Sequence, residues 1–172
     1  QQRLQAIAGA LSFTDSTWNT IDTSHGMALI IASVDDQALW SPYRDPASGS
    51  ITAIIGRSAF DAPEWDQILQ ADPAGKGIVC QHLWKRYRQS GSGLTNGLNG
   101  AYTVIIWEPG SHQLTLISDR LGVIPVFIDR PRGDQGPQLC SHPDVLARYS
   151  GNPASWDLTT FAEQLHSCYG TP

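Results

Sequence analysis

An α+β fold with largely antiparallel sheets is predicted by three features of this 172-residue chain. The stretch from Leu98 to Phe127, LNGAYTVIIWEPGSHQLTLISDRLGVIPVF, reads as two strands joined by a turn, then a charged pair, then a third strand. Met27 to Ser33 (MALIIAS) and Ile51 to Arg57 (ITAIIGR) are apolar at successive positions, so both of their faces need cover. Hairpins outnumber crossovers, and two sheets with helices on their outer faces would bury these runs.

The elements follow in order. Leu4 to Phe13, apolar and rich in small residues, reads as a strand, and Thr14 to Gly26 as a polar stretch. Met27 to Ser33 is bounded by Gly26 and by Asp35-Asp36, as a buried strand would be. Gln37 to Ser41 reads as a second short strand, and Pro42 to Ser50 as turn chemistry. After the Ile51 to Arg57 strand, Asp61 as N-cap and Pro63 in the first turn open a helix to about Gln70. Ile78 to Gln89 is the clearest helix, with Ile78, Leu83, Trp84 and Tyr87 near one face and Lys85, Arg86 and Arg88 on the solvated side. Ser90 to Gly97 is a glycine-rich loop. Ala101 to Trp107 and Gln113 to Ser118 form a hairpin, expected to lie centrally because its residues leave few exposed faces. Val123 to Asp129 is a further strand, Arg130 to Gly136 a polar turn, and Pro143 to Arg148 and Leu158 to Cys168 are helical.

Composition excludes several classes. A net charge of −5 and a pI near 5.4 do not provide the basic footprint of a nucleic-acid binder. No apolar run reaches the ~18 residues of a membrane span. The three cysteines, Cys80, Cys140 and Cys168, have no CxxC spacing, which fits a reducing, cytoplasmic setting. The chain opens on Gln1 and its single methionine is Met27, as expected of a processed product or a piece of a longer one.

The run Leu98-Asn99-Gly100, an apolar strand, a turn, a second strand, then Asp119-Arg120-Leu121-Gly122-Val123-Ile124-Pro125-Val126 resembles the glutaminase domain of glutamine-hydrolysing asparagine synthetases. That family carries L-[DN]-G, then strand, turn, strand and D-R-x-G-x-x-P-[LV]. Gly100 would allow a tight start to its strand. Asp119 and Arg120 would pair or bind backbone, and Pro125 suits an edge or bulge. Ser141 to Leu146, Asp157 to Gly170 and Ile7-Ala8-Gly9 extend the resemblance. It implies the four-layer αββα sandwich of N-terminal-nucleophile hydrolases over residues 1–156. Residues 157–172 would be a helix and the start of a linker to an ATP-dependent synthetase domain.

In active members the first residue is a cysteine, whose thiolate attacks the glutamine amide with its own α-amino group as base. Here Gln5 falls at that position, with four residues ahead of it. The family's N-G-E-[IV]-Y-N, whose Asn and Gly build the oxyanion hole, corresponds to Ile55-Gly56-Arg57-Ser58-Ala59-Phe60. Losing one such donor costs a working enzyme roughly 3–4 kcal/mol. The aspartate that holds the substrate's amino group corresponds to Val79, and the substrate-carboxylate arginine falls near Ala38 to Arg44, with Arg44 as candidate.

Other candidates carry less. Cys140 and His142 are two apart and could share a strand face as a nucleophile pair, yet a buried thiol beside a solvent-facing His is the simpler reading. Cys80 and His82, and His166 and Cys168, are two apart on helices and so do not face each other. No set recurs at metal spacing, Asp15 and Asp35-Asp36 read as loop acids, and Gly91-Ser92-Gly93 lacks the helix N-terminus of a phosphate cradle.

The resemblance therefore implies a non-catalytic glutaminase-like N-terminal domain of an asparagine-synthetase-like, ATP-dependent amide-forming enzyme. Degenerate relatives of this kind are the β-lactam synthetases and the lasso-peptide macrolactam cyclases. The expected partner is a C-terminal synthetase domain, in cis or as a separate subunit, with ATP and magnesium on that domain, bound at an S-G-G-x-D-S-type loop, and no cofactor on this one. No nucleic-acid or membrane partner is expected. An apolar docking patch is expected near Trp156, Phe161 and Leu165. The alternatives are an active glutaminase and a free-standing small-ligand-binding module.

Overall fold

Alternating apolar residues and turn chemistry organise the chain into antiparallel ladders. The computed structural model describes residues 6, 7, 9, 17–22, 28–33, 38–71, 75–130 and 136–149. Two compact units divide the chain, residues 1–126 and residues 127–172. The boundary expected at residue 156 and the helix expected over Leu158 to Cys168 lie outside the described residues, as do Trp156, Phe161 and Leu165.

The first unit is built on a four-stranded sheet of order β3-β4-β5-β6, formed by Tyr43–Arg44, Ile51–Ala59, Asn99–Glu108 and Gln113–Ser118. Every pairing in it is antiparallel. Ile54 sits opposite Val104, and Val104 opposite Ile117, so these aliphatic residues share one face. Helix α2 (Ile78–Ser90) covers that face. Its Val79, Leu83 and Trp84 form one core with Ile54, Tyr102, Val104 and Ile106. On the other face Ile51 and Ala53 are 1% and 0% exposed, so β4 is buried on both sides. Each fully buried aliphatic side chain contributes about 1.5–3 kcal/mol.

Helix α1 (Ala62–Ala71) starts where the sequence places it. Asp61 Oδ1 accepts from the Glu64 N–H at 2.9 Å, which satisfies an orphan amide of the first turn. Glu64 then ties α1 to α2, because its Oε1 lies 2.7 Å from both His82 Nε2 and Arg86 Nη1. Arg86 also donates to the Asn96 carbonyl, so one member of the basic cluster is a strut rather than a solvated charge. A half-exposed ion pair adds up to about 1 kcal/mol, so apolar packing decides the stability of this unit.

Several expectations are corrected. Ala6, Ile7 and Gly9, the described residues of the stretch expected to be a strand, are helical, in keeping with the high helix propensity of an alanine-rich segment. The described part of the stretch expected as a strand over Gln37 to Ser41 is not one; Ala38–Trp40 form a 3-10 turn, closed by the Ser41 N–H on the Ala38 carbonyl at 3.2 Å. The stretch read as polar contains β1 (Thr17–Asp22), which pairs antiparallel with β2 (Ala28–Ser33). Thr17, Trp18, Thr20 and Ile21 are strand formers, and a polar composition hid them. Within the hairpin expected to be central, β5 is internal, while β6 is an edge strand among the described residues.

In the second unit β7 (Phe127–Asp129) pairs antiparallel with β8 (Gln138–Cys140), and α3 (Pro143–Tyr149) follows. The strand expected from Val123 is confined to Phe127–Asp129, because Gly122 and Pro125 keep the preceding residues out of a ladder.

Candidate functional site

The middle of β4 and the start of β5 approach each other closely. Ile55 lies opposite Thr103, Gly56 opposite Tyr102 and Ser58 opposite Gly100. Gly56 has φ +83°, and a Cβ there would collide with the Ala101 carbonyl oxygen and with Ile124 Cδ1. Gly100 has φ +107°, and a Cβ there would strike the Arg57 carbonyl oxygen. Both positions require glycine for conformation and for space. Arg57 is exposed, and its guanidinium lies 5.0 Å over the Trp40 ring.

The segment after β6 is held by Asp119. The residue is 6% exposed, and its carboxylate accepts from three backbone amides: Tyr102 N–H at 3.2 Å, Leu121 N–H at 2.8 Å and Val123 N–H at 3.1 Å. Gly122 N–H closes the turn on the Asp119 carbonyl at 3.1 Å. Burial by itself would raise the Asp119 pKa, but the amides of Leu121, Tyr102, Val123 and Gly122 together hold the carboxyl below its usual range. Of the two roles expected for Asp119 and Arg120, backbone binding is the one realised by Asp119, while Arg120 is exposed. Two residues beyond the turn, the Ile124 carbonyl accepts from Thr103 Oγ1 at 3.0 Å. Asp119 and Thr103 thus pin residues 119–124 to β5 at both ends.

A shallow cleft of about 270 Å³ lies against this segment. Thr103, Leu116, Ser118, Gly122, Ile124, Pro125 and Val126 line it. No ionisable side chain is among them. Such a surface can hold an uncharged group and offers nothing to offset the desolvation of a charged one.

The remaining predicted positions fall as follows. Gln5 lies outside the described residues, as do Asp15, Asp35-Asp36, His166 and Cys168. Val79 is inside α2 rather than ahead of it, and its side chain is 0% exposed in the core. Arg44 is exposed in β3. Gly56 and Ile55 share β4 with Arg57, and Ile55 is half-buried. Cys80 is buried under β4, donates to the Trp40 carbonyl at 3.6 Å, and has its thiol pushed up to about 12 by burial. That is the opposite of an activated nucleophile. Cys140 and His142 do not form a nucleophile pair: the His142 backbone N–H contacts the sulfur at 3.4 Å, while its ring meets Ser141 Oγ at 3.0 Å. Among the described residues no group of three His, Cys, Asp or Glu could hold a metal. No described helix is long and apolar enough to cross a membrane. Sequence reasoning missed Thr103 and Ile124. Thr103 was visible as the one aliphatic hydroxyl in the run YTVIIW, whereas nothing in the sequence marks Ile124.

A sequence profile of the glutamine amidotransferase domain matches residues 80–171, more than half of the chain. The chain is 22% identical over 162 residues to the Bacillus subtilis (strain 168) protein "Asparagine synthetase [glutamine-hydrolyzing] 2". That match covers 90% of this chain and 22% of the relative, so the chain spans about a fifth of the relative's length. No solved structure matches the chain significantly.

Proposed function

The chain belongs to the glutamine amidotransferase domain family, and from that premise we propose that it is a non-catalytic member, the structural partner of an ATP-dependent, asparagine-synthetase-like amide-forming domain. The observation that carries this reading is Ile55. It stands beside the left-handed Gly56, where the family's motif has an oxyanion donor, and its side chain has no hydrogen to donate. The all-antiparallel sheet with α2 on one face and a buried second face supports the four-layer sandwich of this reading. ATP and magnesium would be held by the synthetase partner, whose nature the asparagine synthetase relative suggests. The degenerate glutaminase-like domains of lactam-forming synthetases offer a functional analogy, since an amine supplied by the substrate makes ammonia unnecessary.

The test is ammonia release from glutamine by the purified chain. No release above background is expected from the parent, from Gln5→Cys or from Ile55→Asn, because each single change leaves the other groups missing. Release that scales with enzyme concentration and survives repurification overturns the proposal.

A further inference from the structure

We propose that Asn96–Gly97 is a site of spontaneous self-modification, where the Asn96 side chain loses ammonia and becomes aspartyl or isoaspartyl, while the fold protects the neighbouring Asn99–Gly100. The two dipeptides are chemically the same, and all four residues are exposed. The Gly97 nitrogen gives up its proton to water and attacks Asn96 Cγ, the Cγ–Nδ2 bond breaks, and ammonia leaves. Water then opens the resulting succinimide at either carbonyl. The sum is asparagine plus water giving aspartate, or its isomer, plus ammonia, with no change of oxidation state.

The first step requires the peptide between the two residues to rotate until the glycine nitrogen meets the side-chain carbonyl carbon. Thr95 to Leu98 form a type II turn: the Leu98 N–H donates to the Thr95 carbonyl at 3.0 Å, Asn96 has φ −61° and ψ 121°, and Gly97 has φ +76°. The Asn96–Gly97 peptide is the central one of that turn, so its rotation does not require the closing hydrogen bond to break. A Cβ on Gly97 would meet nothing within 4 Å, so there is room for the movement. The restraint is one surface contact, from Arg86 Nη2 to the Asn96 carbonyl. Asn99–Gly100 instead lies inside a ladder, with Asn99 opposite Ala59 and Gly100 opposite Ser58. A Cβ on Gly100 would strike the Arg57 carbonyl oxygen and crowd the Ala59 nitrogen, so this glycine is hemmed in by β4. Rotating its peptide requires the end of β5 to open from β4, and that local unfolding slows the reaction. At Asn96 the isoaspartyl product adds a methylene to the main chain and so breaks the turn that leads from α2 into β5.

The test is incubation of the full chain at mildly alkaline pH, folded and in denaturant. Fragmentation by mass spectrometry then locates each gain of about 1 Da. In the folded chain Asn96 is expected to convert at least about fivefold faster than Asn99, the scale of one local opening. In denaturant the two rates are expected to converge. Equal rates in the folded chain, faster conversion at Asn99, or an unchanged preference in denaturant overturns the proposal. Asn96→Gln, which would have to close a larger ring, is expected to abolish the fast release of ammonia, and its persistence overturns the assignment. This release is at most one ammonia per site and needs no glutamine. Turnover with glutamine would instead overturn the proposed function, so the two failures are distinguishable.

Discussion

Two segments of the first unit, the turn after β6 and the middle of β4, differ in what their residues serve. In the turn from Asp119 to Gly122 the motif's charged residue serves the fold, because its carboxylate takes up three backbone amides, of which that of Tyr102 is buried and would otherwise lack this acceptor. In β4 the residue beside Gly56 is Ile55, whose half-buried aliphatic side chain has no polar group to serve fold or ligand. Gly56 itself is needed by both roles, since its left-handed backbone and the neighbouring Ala101 carbonyl admit no side chain. A residue that satisfies the chain's own backbone is costly to replace whether or not chemistry persists. An aliphatic side chain such as that of Ile55 is under no such constraint from the backbone.

Glycine substitution tests this contrast most severely. Gly100→Ala forces a side chain into φ +107° and against the Arg57 carbonyl. The conformation alone costs roughly 1–3 kcal/mol, and the collision adds to it. Chemical denaturation should show the largest stability loss of the series, and a change near zero would mean that the β4–β5 approach is not tight.

Next comes the carboxylate of Asp119. Asp119→Ala is expected to lower Tm by several degrees, as loss of an acceptor for buried amides does. The sign with pH follows from the depressed pKa. The unfolded chain binds the proton first, so the contribution is complete above the unfolded value of about 4 and is lost as pH falls through the folded value. Scanning calorimetry of Asp119→Asn should show a flatter acid limb than the parent. Parallel acid limbs would mean that the carboxylate does not hold the turn.

Arg120→Ala should do least. Its side chain is exposed while Asp119 is satisfied by backbone, so a change within about 0.5 kcal/mol is expected. A loss as large as that of Asp119→Ala would restore the ion pair as the organising contact and erase the distinction between the two residues.

The sequence by itself determined the antiparallel α+β class, the capped start of α1 at Asp61, the long α2 and the β5–β6 hairpin. These are local signals: an Asx cap, a helical apolar stripe and alternation around a Pro-Gly turn. The family resemblance places Ile55 where a donor would stand, and the proposed function rests on that reading. Where composition was ambiguous the sequence failed, reading Ala38–Trp40 as a strand and β1 as polar coil, since a short segment takes its form from what it packs on or pairs with. Only the tertiary structure decided that Asp119 binds amides rather than Arg120, that Cys80 lies in the core, and that Ile124 rests on Gly56. Those contacts join residues distant along the chain or choose between partners of equal chemistry, and residue type carries no record of which approach the fold allows.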